Sequence, residues 1–148
     1  MDLGCHNMDL PRRLTGREPA ETTAKMSNRR FTDLASFHDN APGFCRFEGG
    51  VAVHLEQNWL HPAASRLSGD RCTVVGTEGT LEYRGSGSLL TLTTFARGDE
   101  TITPDHSPVG LLDDFLRTLR SEGSGNLSTA ETLASTRATL IAHESAVT

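Results

Sequence analysis

Residues 44–59, FCRFEGGVAVHLEQNW, decide the architecture. Val51, Val53, Leu55, Gln57 and Trp59 alternate with Ala52, His54, Glu56 and Asn58, a period of two that sets one face of a strand on a core and leaves the other polar. Residues 44–47 supply the partner strand across Glu48, Gly49 and Gly50, where glycines accept the positive φ angles of a tight hairpin. The reading is an antiparallel pair.

Working outward, residues 17–27 alternate loosely and read as another strand, while 28–41 have no clean period and read as a loop with a short helical turn. Downstream, strands are expected at 71–75, 80–83 and 88–95, with turns at 76–79 and 84–87, the pattern of a meander. The period then lengthens. Ser107 and Pro108 suit an N-cap and first helical position, and Leu112, Phe115, Leu116 and Leu119 form an apolar stripe ended by Gly123. Ser128 with Glu131 reads as a capping box opening a last helix, with Ala130, Leu133, Ala134, Ala138 and Ile141 toward the core. Strands followed by helices predict an α+β fold, an open, largely antiparallel β-sheet with helices packed on one face.

The first sixteen residues, MDLGCHNMDLPRRLTG, form a helix-like run ending in Gly16. Asp2 and His6, four positions apart, share one face of such a helix. A carboxylate beside an imidazole suits proton transfer, because it fixes the ring tautomer and raises its basicity; on spacing alone a solvated pair or a cap is the commoner outcome. Pro11 conflicts with a helix begun at Asp2, and a kink or a late start near Asn7 resolves the conflict.

Composition narrows the partners. A chain of 148 residues with 36% hydrophobic and 5% aromatic residues can bury one modest aliphatic core. Its formal charge of -5, from 14 basic and 19 acidic residues, argues against nucleic acid. The apolar runs are too short to span a bilayer, and no signal peptide is visible, so a cytoplasmic location is expected. Cys5, Cys45 and Cys72 are odd in number and widely spaced, suiting reduced thiols, and without a close Cys/His cluster no metal site is expected. Gly76, Gly79, Gly85 and Gly87 lack the Gly-x-Gly-x-x-Gly spacing and a following helix, and read as strand turns.

Four segments in order resemble the C-terminal domain of the Gfo/Idh/MocA family of NAD(P)-dependent sugar and polyol oxidoreductases: DLGCHNMDLPRRLTGREP, DNAPGFCRFEGGVAVHLEQNW, VVGTEGTLEY, and LLDDFLRTLRSEG with LSTAETLASTRATLIAHES. The resemblance covers nearly the whole chain. It implies a fold like the C-terminal domain of dihydrodipicolinate reductase, and a role in substrate binding and oligomerisation for an enzyme that moves hydride between a carbinol and nicotinamide. His6 would be the general base taking the hydroxyl proton, and Asp2 would orient His6 and stabilise its charged form.

In the family a Rossmann domain binds NAD or NADP and contributes a catalytic Lys. No parallel βαβ unit is legible here, so residues 1–148 read as one partial domain that binds no cofactor alone. The match begins inside the family's second domain, which suggests a truncated or split gene product, or a fragment with a misplaced start. The Rossmann domain is then missing or supplied in trans. Trp59, His61 and Arg66 fall where the family approaches a small sugar or polyol substrate, although Trp59 at a core edge and Arg66 in solvent is the plainer reading. His54, on the polar strand face, suits a homo-oligomer interface through the open sheet face; His38, His106 and His143 have no suggestive neighbours. The competing function is a non-catalytic interaction module, or gene fragment, presenting that open face to a protein partner.

Overall fold

A computed structural model of the chain describes residues 2–62, 70–85, 89–103, 110–120 and 128–147, with Asp2, Leu3 and Leu89 described by backbone alone. It divides into two compact units, residues 1–60 with 110–148, and residues 61–109. The fold is α+β, with antiparallel ladders throughout.

In the first unit, helix α1 (Asp2–Thr15) precedes strands β1 (Pro19–Ala24), β2 (Gly43–Phe47) and β3 (Ala52–Leu55), which form a sheet in that order. The expected hairpin is present. Cys45 pairs with Val53 and Phe44 with His54, and the connection at Glu48–Gly50 has Gly49 at φ 70° and Gly50 at φ 83°. Alternation sorts β2 cleanly: Cys45 and Phe47 are fully buried, while Phe44 and Arg46 face outward and Arg46 pairs with Glu21 of β1 at 2.5 Å. β3 stops at Leu55, short of the expected end at Trp59. Beyond it the chain pairs with the loop, Ala41 N–H donating to Gln57 O and Trp59 N–H to Asp39 O.

Helix α1 starts at Asp2 and runs through Pro11, so the late start near Asn7 is not taken. Proline removes only the bond to the Asn7 carbonyl, and the rest of the helix is anchored elsewhere. Gly16 ends it at φ 63°, its N–H returning to Arg12 O at 2.8 Å. Helices α1 and α3 (Thr129–Val147) pack together and onto the sheet. Met8, Cys45, Phe47 and Ala138 form the core, flanked by Val51, Val53, Leu55 and Ala142.

Two helix faces differ from expectation. Ser135, Ala138 and Thr139 are the buried residues of α3, whereas Leu133 and Ile141 are 64% and 46% exposed. Ser135 faces inward because its hydroxyl bonds Arg12 and Asp9 of α1, and the hydroxyl of Thr139 is satisfied within the helix by Ser135 O. Helix α2 (Leu111–Leu119) begins after Gly110, while Ser107, Pro108 and Gly123 lie outside the described residues. Its Leu112, Phe115 and Leu119 are exposed rather than in a core. Ser128 Oγ accepts the Glu131 N–H at 3.2 Å, one arm of the expected box.

The second unit is a four-stranded meander of β4 (Arg71–Val75), β5 (Gly79–Arg84), β6 (Leu89–Thr94) and β7 (Gly98–Ile102). The first three match the expected strands; β7, polar at Asp99 and Glu100, was not expected. Gly79 opens β5 against Thr94, and a Cβ there would sit 2.3 Å from the Thr93 carbonyl oxygen. Backbone cannot yield as a side-chain tip can. Gly79→Ala should therefore destabilise this meander by about 2–3 kcal/mol, read as a lower urea midpoint and faster amide exchange in residues 79–94; unchanged exchange would contradict this packing.

Candidate functional site

Helix α1 presents two surfaces. His6 is exposed on one, while the side chain of Asp2 lies outside the described residues. Gly4 and Met8 lie on the opposite side, and Met8 is 1% exposed. Gly4 is tightly placed, since a Cβ there would meet Gln57 Oε1 at 3.2 Å and the Thr139 methyl at 3.4 Å.

What fixes α1 in this orientation is Arg12, 5% exposed near its C-terminus. Its guanidinium donates to both carboxylate oxygens of Glu18, at 2.8 and 2.5 Å, to Ser135 Oγ at 2.7 Å, to Glu131 at 3.3 Å and to Asp9 at 3.4 Å. Ser135 Oγ in turn donates to Asp9, and Arg13 pairs with Asp9 at 2.5 Å. One cation thus ties α1 to α3 and to the segment leading into β1. The hydrogen bond from Arg12 holds the Glu18 carboxyl below its ordinary pKa, against a smaller desolvation effect. Burial pushes Asp9 up, but the Ser135 and Arg13 hydrogen bonds and the charges of Arg13 and Arg12 outweigh it and leave Asp9 lowered.

The loop between β1 and β2 is organised by Asp39, fully buried. Its carboxylate accepts the backbone N–H groups of Arg29 at 2.9 Å, Arg30 at 2.7 Å and Phe31 at 3.4 Å. Desolvation raises its pKa, but these backbone bonds reverse the sign and hold it ionised.

Between the helices and the three-stranded sheet lies a cavity of about 540 Å³. Met8, Met26, Phe37, Leu55, Trp59 and Ala142 give it an apolar wall, and His38, Gln57 and His143 add polar groups. Nδ1 of His143 is buried with no hydrogen-bond partner among the described residues. Cys45 lies at its floor, where burial pushes the thiol up despite a hydrogen bond with Thr22.

Among the residues singled out from sequence, Trp59 lies beyond the end of β3 and is 50% exposed where it lines the cavity beside Leu55 and Met8. His61 is half-buried, Arg66 and His106 lie outside the described residues, and His54 is exposed on the open face of the sheet. His6 is not part of the cavity wall. His38 and His143, which had no suggestive neighbours in sequence, share that wall. The long-range partners of Arg12 left no sequence signal, although Asp9, Arg12 and Arg13 at helical spacing did. Among the described residues no group of three or more His, Cys, Asp or Glu could hold a metal, and no helix is long and apolar enough to cross a membrane.

The GFO/IDH/MocA C-terminal domain family matches residues 1–82, more than half of the chain. The chain belongs to this family. The same fold is found in solved structures: a Thermotoga maritima protein described as an oxidoreductase aligns at 25% identity and a TM-score of 0.88 over 98% of this chain and 43% of its own. A UDP-N-acetylglucosamine 3-dehydrogenase from Acidithiobacillus ferrooxidans aligns at 19% and 0.81, over 99% of this chain and 46% of its own. An Agrobacterium radiobacter oxidoreductase in complex with NAD+, L-tartaric acid and magnesium aligns at 20% and 0.77, over 99% and 46%. The chain therefore spans less than half the length of these structures. No curated protein sequence matches it.

The Arg12 cluster sets an acid limit on this GFO/IDH/MocA domain. A carboxyl whose pKa is lowered by folding stabilises the fold above its unfolded pKa and loses that contribution as pH falls through its folded value. The contribution of Asp9 and Glu18 should be complete above about pH 5 and fade below about pH 4. Arg12→Met should cost about 2 kcal/mol at pH 7, less than for a fully buried pair because Glu18 and Glu131 are half exposed, and should flatten the fall in stability between about pH 5 and 3. Urea titrations across that range check both, and an unchanged pH profile would contradict the cluster.

Proposed function

We propose that this chain is the substrate-binding and oligomerisation domain of an NAD(P)-dependent oxidoreductase acting on a sugar, polyol or related carbinol. The observation that carries the reading is the family match over residues 1–82, which includes Asp2 and His6, together with the exposure of His6 on the outer side of a firmly held α1. His6 is the general base that takes the carbinol hydroxyl proton, and Asp2 orients the imidazole and stabilises its protonated form. His61 and Arg66 are assigned to the approach of the substrate hydroxyls, whereas Trp59 lines the cavity on the Gly4 and Met8 side of α1.

The described residues do not fit a dinucleotide. Both ladders are antiparallel, and Gly76 and Gly79 close a turn between two strands, Gly76 N–H donating to Gly79 O, with no helix N-terminus beyond it to receive a pyrophosphate. We assign cofactor binding to a Rossmann-type domain, in the same polypeptide or a separate one. The bound nicotinamide supplies hydride acceptance there. The relatives named for a sugar-nucleotide dehydrogenase and for a complex with NAD+ support this class.

Combined with its dinucleotide-binding domain, the chain should oxidise a polyol or sugar, whereas alone it should show no turnover. His6→Ala or Asp2→Asn should then lower kcat by about a hundredfold, the scale of lost acid–base catalysis. Retention of full activity in both variants would remove the assignment.

Oligomerisation is assigned to the outward face of the three-stranded sheet, where Phe44 is 52% exposed and sits opposite His54. An uncovered aromatic on an open sheet favours isologous pairing. Light scattering at micromolar concentration should give a multiple of the 16.0 kDa chain mass, and Phe44→Glu should reduce it to a monomer with unchanged circular dichroism. A wild-type monomer would overturn the oligomerisation assignment and leave the open face to the interaction-module reading.

A further inference from the structure

The cavity between the helices and the sheet opens to solvent at Trp59, which is 50% exposed, and has the concave, largely apolar lining of a small-molecule cleft. At about 540 Å³ it falls in the size range of small-molecule sites. We propose that it binds an uncharged, largely apolar small molecule carrying one hydrogen-bonding group, at a place distinct from the His6 surface of α1.

The wall specifies this class. Among the described residues lining it none is Asp, Glu, Lys or Arg, so a phosphate or carboxylate would lose its hydration with no cation to meet it. Phe37 and Trp59 offer aromatic faces, and Met8 and Met26 offer adaptable thioethers, which together suit a flat ring system. Gln57 can give or accept one hydrogen bond to an occupant. An extended peptide is disfavoured because the bordering backbone is already paired: Lys25 N–H to Pro42 O, Ser27 N–H to Asn40 O and Ala41 N–H to Gln57 O. Little is left for strand addition.

Trp59 is the only tryptophan of the chain and lies in the wall, so it reports on occupancy. The test is titration of the 148-residue chain with N-phenyl-1-naphthylamine, followed by energy transfer from Trp59. Binding should saturate at one probe per chain in the micromolar range, and 1-naphthyl phosphate should bind at least about tenfold more weakly. Ala146→Phe, which fills the cavity, should weaken the naphthylamine at least about tenfold. Methyl NMR of the unaltered chain gives a second reading independent of any variant's folding: the Met8 and Met26 methyls should shift on binding, and those of Leu112 and Leu119 on α2 should not. Absence of saturable binding, tighter binding of the phosphate, undiminished binding by a folded Ala146→Phe, or shifts confined to α2 would each overturn the proposal.

Discussion

The buried guanidinium of Arg12 is the interaction on which the first unit depends. A charge only 5% exposed is tolerable because every direction in which it can donate meets an acceptor: Glu18, Glu131, Asp9 and the Ser135 hydroxyl. Those acceptors come from α1, from α3 more than a hundred residues later, and from the approach to β1. Replacing the arginine with a lysine would keep the charge but lose the planar fork that reaches Glu18 through two parallel bonds. The apolar core beside it is small, with Met8, Cys45, Phe47 and Ala138 its buried hydrophobic residues among those described. Directional polar contacts therefore set the helix orientation that a larger core could set by packing.

Orientation of α1 separates its two roles. With Met8 on the core side and Gly4 against Gln57, the cavity lies under the helix, and His6 is left on the outer surface, open to whatever docks there. Gly4 permits this because any Cβ would crowd Gln57 and Thr139. The Asp39 turn supports the opposite rim. By gathering the N–H groups of Arg29, Arg30 and Phe31 it fixes the loop that carries Phe37 and His38 to the cavity.

Local periodicity made the hairpin, the meander and the α+β class legible. Period two along residues 44–55 and the glycines at 49 and 50 are self-contained signals, and both match the structure. The helix faces were less legible. Leu133 and Ile141 have the hydropathy of core residues, yet the buried positions of α3 are Ser135, Ala138 and Thr139, with Ser135 bonded to Arg12 and Asp9 of α1. Spacing also suggested an Asp2 and His6 face, but could not show that His38, Gln57 and His143 converge from three separate segments. Such convergence depends on tertiary packing, which no window of sequence contains. Trp59 illustrates the limit at a strand end: its alternation places it with Leu55 and Gln57, and it lines the cavity with them, but beyond the end of β3 it is 50% exposed.

The central claim is that α1 is a fixed element rather than a frayed terminus, because Arg12 locks it to α3. Amide hydrogen exchange measures this directly. The amides of Met8, Asp9, Leu10 and Arg12 in α1 should exchange as slowly as those of residues 139–143 of α3, and Arg12→Met should speed the first set far more than amides of the β5–β6 ladder. Rapid exchange throughout α1 in the unaltered chain, alongside a protected α3, would contradict it.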